Sequence, residues 1–480
     1  MSNKAGLLND EQMRQFIVNG YVTVQADLPA ASHEHLYGRL EDVYAKVGNE
    51  GNNLLPRVPE IREVFDCPAV RGALSSLLGQ NYLMNPHRYG HLNPSGGPGQ
   101  KWHKDSYIDH NVRHPRFRAI LAFYYPQDVT EDMGPTGILP GRQNHIEISD
   151  VDPTKTAEPA LPLCGGAGAV TLVHFDSWHR ATPNRSEKKR YMLKFLFERM
   201  EEPREPTWNC RDAAWQASGE DPTQGLSRGV WEWLAGTQDR ADAEEEGGDV
   251  SRLIAGLRDP SETTRLNAVY ALAAMGGRAA PALIASLQEE ADAVFGQNRV
   301  NNPADVRGRN PMAPCAAHAL AAIGHLAVPF LIDALRDARW TVRTAAADTL
   351  GDIGPPAHEA VPALTPLLKD EHWRVRRHAA EALGLVGAQD GETVAGLIGS
   401  LRDEETTVRL NAALALAKIG LPVEEAIPAL AGCLNDENRY VRYYAAVGLR
   451  RIDTPSARET LLDALFTSRW CPITTKEKPY

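Results

Sequence analysis

The hydrophobic pattern changes character near the middle of the chain. Up to about residue 205, short amphipathic helices alternate with β-rich runs, and after about residue 250 the pattern is entirely helical. Asn9 predicts the start of a helix that ends near Gly20, and residues 21–24 predict the strand that follows. A second helix is predicted by four apolar positions that share one helical face: Leu36, Leu40, Val43 and Val47.

Three further apolar runs in the first half predict buried strands. They cover residues 118–125, 169–175 and 191–197. Together with the preceding helices, these runs favour an antiparallel β-fold flanked by helices. The fold class expected for the whole chain is multi-domain α+β, with a β-rich first part and an all-α second part.

The second half repeats a helical unit. An Asp recurs every 33 residues, a Val-Arg pair follows it, and a Gly ends the unit; the Asp positions are Asp337, Asp370, Asp403 and Asp436. Because one such unit cannot bury its apolar stripe alone, the units must stack. We interpret the recurring Asp and Arg as structural pairs rather than as binding groups. Trp340 and Trp373 either form an exposed aromatic strip or pack under the turns between helices.

The patterns predict four segments. Residues 1–205 form the β-rich domain, 206–249 a connector that ends in an acidic linker, 250–465 the helical repeats, and 466–480 a C-terminal tail. We expect the connector to pack onto a neighbouring domain through four tryptophans, and the alternative is that they help to close a substrate pocket; they are Trp208, Trp215, Trp231 and Trp233.

Composition and charge narrow the classes of function. Hydrophobic residues make up 43% and charged residues 24% of the 480 positions, which excludes wholesale disorder. The net charge of −11 disfavours nucleic acid as a partner. The polar N-terminal residues contain no signal-peptide core, and we predict no membrane helix, for which roughly 18 apolar residues are needed. We therefore expect a cytoplasmic protein that binds neither nucleic acid nor membrane.

The candidate chemistry lies in the first half. In an extended segment, His103 and Asp105 point the same way because they are two residues apart. His179 on a neighbouring strand would complete a two-histidine, one-carboxylate set, which binds Fe(II) and leaves positions open for a chelating co-substrate and O₂. Arg190 follows after a turn, and a hairpin would let it pair with a carboxylate of 2-oxoglutarate. The alternative for Arg190 is a surface ion pair.

With these motifs in place, residues 8–200 resemble the phytanoyl-CoA dioxygenase family of Fe(II)- and 2-oxoglutarate-dependent oxygenases. The resemblance rests on GYVTV, WHKD, MGPTGILPGRQNH and WHRATPNRS, followed by Arg190. It implies a double-stranded β-helix, or jelly roll, with His103, Asp105 and His179 as catalytic iron ligands. It also implies that Arg190 anchors the distal carboxylate of 2-oxoglutarate. Residues 250–465 resemble HEAT-like repeats, which implies a helical solenoid used for binding.

The chain departs from the family pattern at a few positions. Ala181 stands where relatives often have a hydroxyl that supports the co-substrate, and we expect Thr182 and Gln100 to be further cofactor-binding residues. His174 competes with His179 as the distal ligand; only His179 keeps both the Pro-Asn turn and the spacing to Arg190. Related halogenases lack the carboxylate of Asp105, so the resemblance implies an oxidation without halide.

Two groups of residues are candidates for substrate binding. His87, Tyr89 and His91 alternate, so in a strand they would share one face towards the cavity. Their alternative is an ordinary structural role. Arg113 and Arg116 could receive an anionic group of the substrate, and the alternative is a solvated basic loop.

The leading hypothesis is a dioxygenase that hydroxylates a small molecule, which could be anionic, and releases succinate and CO₂. The repeats would then serve a protein partner, self-association or pocket closure. One alternative is a repeat scaffold for binding, with a vestigial oxygenase domain. Another is a protein hydroxylase whose repeats present a polypeptide substrate.

Overall fold

The computed structural model of the protein describes residues 6–106, 112–148, 156, 158, 160–217, 220–237, 248–296, 312–420 and 424–467. The chain packs as two units, Met1–Ala334 and Leu335–Tyr480. Most of the predicted acidic linker and most of the predicted C-terminal tail lie outside the described residues. The first unit contains both the β-rich part and the first repeat helices, so the four predicted segments stay a prediction.

Two antiparallel sheets form the centre of the first unit. Their strands are β1 (Tyr21–Gln25), β2 (Leu83–Asn93), β3 (Ala119–Tyr124), β4 (Thr136–Ile138), β5 (Leu161–Pro162), β6 (Ala169–His174), β7 (His179–Ala181) and β8 (Arg190–Glu198). The larger sheet has the order β1-β6-β3-β8-β2, and the smaller has the order β5-β4-β7. The predicted β-rich domain is thereby confirmed, and three of the predicted strands correspond to β3, β6 and β8.

Helices cover one face of the larger sheet. They are α1 (Asp10–Asn19), α2 (Ala30–Val47), α3 (Leu54–Arg57), α4 (Ile61–Asp66) and α5 (Pro68–Leu78). Helix α1 begins and ends as predicted: Asn9 and Gln12 exchange side-chain to backbone hydrogen bonds in a capping box, and Gly20 follows with φ of 77°. In α2, Leu36 and Leu40 are buried, whereas Val47 at the helix end is exposed.

Alternation along the central strands separates two faces of the larger sheet. In β3, Ile120 and Tyr124 belong to the core under the helices, whereas Leu121 and Phe123 belong to a second core on the opposite face. Strand β8 alternates in the same way, and its even-numbered residues from Arg190 onwards share the face of Met192 and Leu196. That second face is where the candidate site lies.

The predicted hairpin between the strands of His179 and Arg190 is wrong. Strand β7 pairs with β4 in the smaller sheet, whereas β8 pairs with β2 and β3 in the larger sheet. The turn between them therefore crosses from one sheet to the other. Both residues still line one pocket, because His179 and Arg190 approach it from opposite sheets.

The connector packs onto the β-rich part, as predicted. Helix α6 (Gln224–Ala235) buries Trp231 and Trp233 in the core shared with α1 and the larger sheet. Trp233 contacts the Phe117 ring edge-on, with ring centroids 5.9 Å apart. Trp208 also contacts Trp231, at a centroid distance of 5.0 Å. None of the four connector tryptophans lines the candidate pocket.

Five repeat helices complete the first unit: α7 (Val250–Gly256), α8 (Glu262–Ala274), α9 (Ala280–Phe295), α10 (Cys315–Ile323) and α11 (Val328–Ala334). The stretch Cys315–Ala334 is long and apolar enough to cross a membrane by length and composition, so the prediction that no stretch reaches that length is wrong. Half of it is buried inside the protein, and Gly324 interrupts it with φ of 75°. Burial of this kind is also found in core helices.

The second unit is a helical stack, as predicted. Its helices are α12 (Trp340–Ile353), α13 (Val361–Leu364), α14 (Trp373–Val386), α15 (Gly391–Ser400), α16 (Thr406–Ile419), α17 (Ile427–Cys433), α18 (Arg439–Ile452) and α19 (Pro455–Thr467). The repeated Arg of one unit binds the Asp of the next; the pairs are Arg343 with Asp370, Arg376 with Asp403, and Arg409 with Asp436. Each Arg also donates to two carbonyls at its own turn. The ladder is therefore structural, as interpreted from the sequence.

Replacing Asp403 by Asn is expected to lower the free energy of unfolding by about 2 kcal/mol, because the largely buried Arg376 loses its charged partner. The Asp403 carboxylate accepts from Arg376 at 2.7 and 3.0 Å and also from the backbone amide of Glu405. Denaturant unfolding followed by circular dichroism measures the effect. Glu404→Gln is the matched control, since Glu404 is exposed and 3.7 Å from the same guanidinium. Equal effects of the two changes would contradict the prediction.

Candidate active site

A short backbone pairing brings His103 and His179 together. The two residues form an isolated antiparallel bridge, with backbone hydrogen bonds of 3.1 and 3.0 Å. Their imidazole centroids are 4.4 Å apart. Asp105 follows two residues after His103, and its carboxylate Oδ2 lies 3.5 Å from Nε2 of His179. Ligand-type atoms of the three residues all lie within 4.8 Å of one another.

Both histidines present the same nitrogen to the centre of this cluster. Nδ1 of His179 lies 3.0 Å from the carbonyl oxygen of Ser177, and Nδ1 of His103 lies 3.0 Å from that of Lys101. If each Nδ1 carries the proton and donates it, each Nε2 offers a lone pair. Nε2 of His179 is buried without a hydrogen-bond partner among the described residues. Burial lowers the pKa of His179 to about 3, so this imidazole is neutral at pH 7.

A buried lysine holds the carboxylate of the cluster. Nζ of Lys194, on β8, donates to Oδ2 of Asp105 at 2.8 Å. Burial by itself raises the pKa of the Asp105 carboxyl, but Lys194 together with His179 and His103 outweighs burial and holds that pKa well below its usual range. Arg113 donates to the Asp105 backbone carbonyl at 2.9 Å. The carboxylate is therefore anionic and held by Lys194, while Arg113 holds the backbone of the same residue.

Arg190 is a buried cation that faces the same pocket. It is 1% exposed, and its guanidinium donates twice to the carbonyl of Gly134, at 3.1 and 2.6 Å. Among the described residues no carboxylate pairs with it, which excludes the surface ion pair considered above. Burial lowers the pKa of Arg190 because the charge is poorly solvated. A buried guanidinium of this kind gains from an anionic ligand.

The pocket between the two sheets has a volume of about 240 Å³. His103, His179, Arg190, Lys194 and Gln100 all line it. Gln100 also accepts from the amide of Ala181 through its side chain, at 3.3 Å. Thr182 is not among the lining residues, and its hydroxyl donates to the carbonyl of Pro135 at 2.7 Å. Thr136, which pairs with Ala181 across the smaller sheet, places a hydroxyl-bearing side chain in the lining instead.

Of the three alternating residues of β2, only His91 lines the pocket. Its Nε2 is buried without a partner among the described residues. Burial lowers the pKa of His91 to about 3. Tyr89 stacks near His91, but its hydroxyl accepts from Asn49 at 3.1 Å and lies outside the lining. His87 lies within an irregularity in the register of β2, between Met84 and Arg88, and also lies outside the pocket lining.

Arg113 and Arg116 lie away from the pocket lining. Both are buried, so the solvated loop considered for them is wrong. Arg113 pairs with Asp176, and Arg116 donates to the carbonyl of Ala321 in α10 at 2.9 Å. Burial lowers the pKa of Arg113 to about 10. These internal contacts offer no support for the anion-binding role predicted for the two residues.

His174, the competing ligand, lies outside the cluster. Its Nδ1 accepts from the amide of Asp176 at 3.1 Å, and its ring packs against Phe16 and Phe117. It ends β6, whose pairing with β1 and β3 holds it in the larger sheet, whereas His179 starts β7 in the smaller one. The two histidines therefore belong to different sheets.

Sequence reasoning missed Lys194 and Thr136. Lys194 is the single charged residue within YMLKFLF, a run that otherwise predicts a fully buried strand. A lysine in such a strand needs a buried acid, and this signal could have pointed to Asp105. Thr136 follows a Gly-Pro pair and shows no comparable signal.

A second cluster of ligand-type side chains lies in the second unit. Asp348, His378 and Glu381 come together across α12 and α14. Nη2 of the fully buried Arg377 is 2.9 Å from Glu381, and its Nη1 approaches the His378 ring. Arg377 already pairs with Glu381, and Asp348 lies 3.2 Å from Nδ1 of His378, so the cluster is an internal polar network.

The site around His103 fits a divalent iron. Two neutral imidazoles and a carboxylate are the donor set of non-haem Fe(II) oxygenases, and the unpartnered Nε2 of His179 points to a missing ligand. The uncompensated Arg190 in the same pocket fits the second carboxylate of 2-oxoglutarate. The fold and the donor set together are those of a non-haem iron oxygenase.

Family comparisons agree with this class. Residues 18–192 match the family model described as Phytanoyl-CoA dioxygenase (PhyH). Residues 315–384, 361–439 and 394–470 match HEAT repeats, and residues 264–289 match the PBS lyase HEAT-like repeat. The resemblance stated from the sequence is confirmed, and Fe(II) and 2-oxoglutarate are the cofactors that it implies. The match supports a general oxygenase function for the N-terminal part.

Solved structures show a distant likeness to the same part. One is a non-haem α-ketoglutarate-dependent carbocyclase, SnoK from nogalamycin biosynthesis, with 18% identity, 40% of this chain and 85% of that chain covered, and a TM-score of 0.34. CytC3 with Fe(II) and α-ketoglutarate has 14% identity, coverages of 41% and 79%, and a TM-score of 0.33. AviO1 from Streptomyces viridochromogenes Tue57 has 15% identity, coverages of 40% and 96%, and a TM-score of 0.34. Such scores carry no conclusion about function. Among curated protein sequences, none matches this chain significantly.

Proposed function

We propose that this protein is an Fe(II)- and 2-oxoglutarate-dependent dioxygenase that hydroxylates a C–H bond of a small-molecule substrate. One oxygen atom of O₂ enters the substrate, the other enters succinate, and CO₂ is released. The observation that carries the proposal is the convergence of His103, Asp105 and His179 beside the uncompensated Arg190. The family match over residues 18–192 supports the same reaction class.

The three ligand residues are prepared before any metal arrives. The carbonyls of Lys101 and Ser177 orient the two imidazoles through Nδ1. Lys194 keeps the Asp105 carboxylate anionic and turned towards the histidines. Bound iron supplies the activation of O₂, with 2-oxoglutarate as the co-substrate. The chain would contribute a clustered donor set to the metal, and its two imidazoles line the pocket.

Arg190 sets the direction in which the co-substrate enters. Its guanidinium is held by the Gly134 carbonyl and offers its remaining donors to a carboxylate in the pocket. Gln100 and Thr136 line the same wall and are proposed to support that carboxylate. Thr182 is proposed to act indirectly, since its hydroxyl bond to Pro135 fixes the strand beside Ala181.

The roles of the other parts follow from the same picture. A jelly roll is proposed for the two packed sheets, and the repeats are proposed to serve a protein partner or self-association. The alternative of a vestigial oxygenase domain is disfavoured, because the three candidate ligands are clustered and two of them line one pocket with Arg190.

Anaerobic addition of Fe(II) and then 2-oxoglutarate to the full chain tests the proposal. We expect the weak visible absorption of an Fe(II)-2-oxoglutarate chelate, and slow succinate formation once air is admitted. A screen of small molecules for faster succinate formation then identifies the substrate. A well-folded protein that shows neither the absorption nor succinate would overturn the proposed function.

His91 is expected to contribute a hydrogen bond to the substrate, because its neutral ring lines the pocket with Nε2 unpartnered. His91→Phe should raise KM for the substrate found in the screen about tenfold, as for one lost hydrogen bond. Tyr89→Phe is the control, since it keeps the ring contact with His91 and changes only the bond to Asn49. An unchanged KM in His91→Phe would remove this residue from the substrate site.

A further inference from the structure

The first repeat helices contact two loops that hydrogen-bond to residues at or beside the metal-site ligands. In the first unit, α8 touches the turn at His145, Ile146 and Glu147, and α10 touches the segment between Arg113 and Arg116. These contacts differ from what a separate interaction module would make, because they are buried and directed at polar groups next to the ligands.

Glu262, the first residue of α8, makes the main contact. Its carboxylate accepts from the amide of Ile146 at 2.7 Å and from the amide of Glu147 at 3.0 Å. Nδ1 of His145 lies 3.8 Å from the same carboxylate. The Glu262 side chain is 13% exposed, so two charge-assisted bonds are made in a largely dry place.

The turn that Glu262 contacts also holds residues that are adjacent to the ligands in the sequence. The carbonyl of His145 accepts from the Trp178 indole at 2.9 Å, and Trp178 immediately precedes His179. The carbonyl of Gln143 accepts from Nζ of Lys104 at 2.7 Å, and Lys104 stands between His103 and Asp105. One turn therefore holds a neighbour of each of the three ligands.

Helix α10 contacts a second segment, which contains Arg113 and Arg116. Nε2 of His318 lies 3.4 Å from the carbonyl of Arg113, and the α10 carbonyl of Ala321 accepts from Arg116 at 2.9 Å. The Arg113 guanidinium bonds to the Asp105 carbonyl and pairs with Asp176. The position of the Asp105 backbone thus depends on a segment that a repeat helix supports.

The repeat sequence itself marks Glu262 as unusual. It lies three residues after Asp259. The residues three positions after the later repeated Asp residues are Trp340, Trp373, Thr406 and Arg439. None of those residues is acidic. The acid is present in the repeat that touches the β-rich part, and the general repeat pattern does not require it there.

We infer that the first repeat helices are part of the scaffold of the metal site and that Glu262 is a positioning residue for the three ligands. The inference rests on the proposed function, since it assigns metal binding to His103, Asp105 and His179. It gives the early repeats a role inside the oxygenase, in addition to any partner that the later repeats bind.

The test measures metal affinity in the full chain by titration calorimetry with Co(II), a redox-stable substitute for Fe(II). Glu262→Ala is expected to bind Co(II) roughly tenfold more weakly, as is typical when a group behind metal ligands is lost. Glu262→Gln, which keeps one acceptor for the two amides, should show a smaller loss. The matched control is Glu289→Ala in α9, because Glu289 is exposed and pairs only with Arg258 among the described residues.

The outcomes separate the two hypotheses. If the unmodified protein binds no Co(II), the proposed function fails. If it binds Co(II) and both Glu262 variants bind equally tightly, only the positioning role is overturned. A purely structural role would lower the melting temperature of the variants without changing Co(II) affinity. Should Glu262→Ala fail to fold, the nearly isosteric Glu262→Gln decides the question.

Discussion

His179→Ala is expected to abolish 2-oxoglutarate turnover and to weaken Fe(II) binding by more than about 100-fold. The change removes one of the two imidazoles and leaves Asp105 and His103 as the only protein ligands in the cluster. Succinate formation and anaerobic Fe(II) titration of the full chain measure the two effects.

His174→Ala is the matched control for this prediction. His174 is as buried as His179, and its Nε2 also has no partner among the described residues. It packs between Phe16 and Phe117 instead of facing Asp105. We expect His174→Ala to lose stability through the cavity it leaves but to keep Fe(II) affinity. Loss of turnover in His174→Ala with turnover retained in His179→Ala would show that the wrong ligand was chosen.

Arg190→Gln is expected to raise the dissociation constant for 2-oxoglutarate about 100-fold while leaving Fe(II) affinity unchanged. A bidentate guanidinium-carboxylate pair in a buried site contributes about 3 kcal/mol, which corresponds to that factor. Gln keeps a donor for the Gly134 carbonyl, so this carbonyl is not left without a partner. The visible absorption of the anaerobic complex, followed against 2-oxoglutarate concentration, gives the dissociation constant.

Lys189→Gln controls for the loss of one positive charge at the neighbouring position. Lys189 is exposed and pairs with Glu41 on the helical side of the sheet. We expect its replacement to leave the dissociation constant for 2-oxoglutarate unchanged, because the charge lies outside the pocket. Similar losses in both variants would mean that general electrostatic attraction, and not a contact with Arg190, binds the co-substrate.

Much of the site could be predicted because its residues lie in short, local motifs. His103 and Asp105 are two residues apart, and the Pro-Asn turn after His179 marks the second motif. The apolar run that follows Arg190 predicts a buried strand, so Arg190 is expected at the start of that strand. The predicted hairpin was wrong, because a turn of given length specifies a reversal of the chain but not whether the next strand stays in the same sheet.

The substrate residues show the limit of alternation. His91 lines the pocket as the period of two predicts, whereas His87 does not, because β2 changes register between Met84 and Arg88. Arg113 and Arg116 were predicted as an exposed or substrate-binding group because they are charged and close together. Their partners, Asp176 and the carbonyl of Ala321, are far away in the sequence, so no local pattern predicts these contacts.

The sequence by itself determined that a β-rich part precedes helical repeats, the 33-residue repeat with its Asp and Arg, and the three ligand candidates with Arg190. These depend on period and spacing, which are properties of neighbouring residues. Only the tertiary structure decided that Lys194 meets Asp105 and that Glu262 reaches the turn at Ile146. Those contacts join residues 89 and 116 positions apart. A buried charged group is stable only when it is paired, and tertiary packing determines which residue pairs with it.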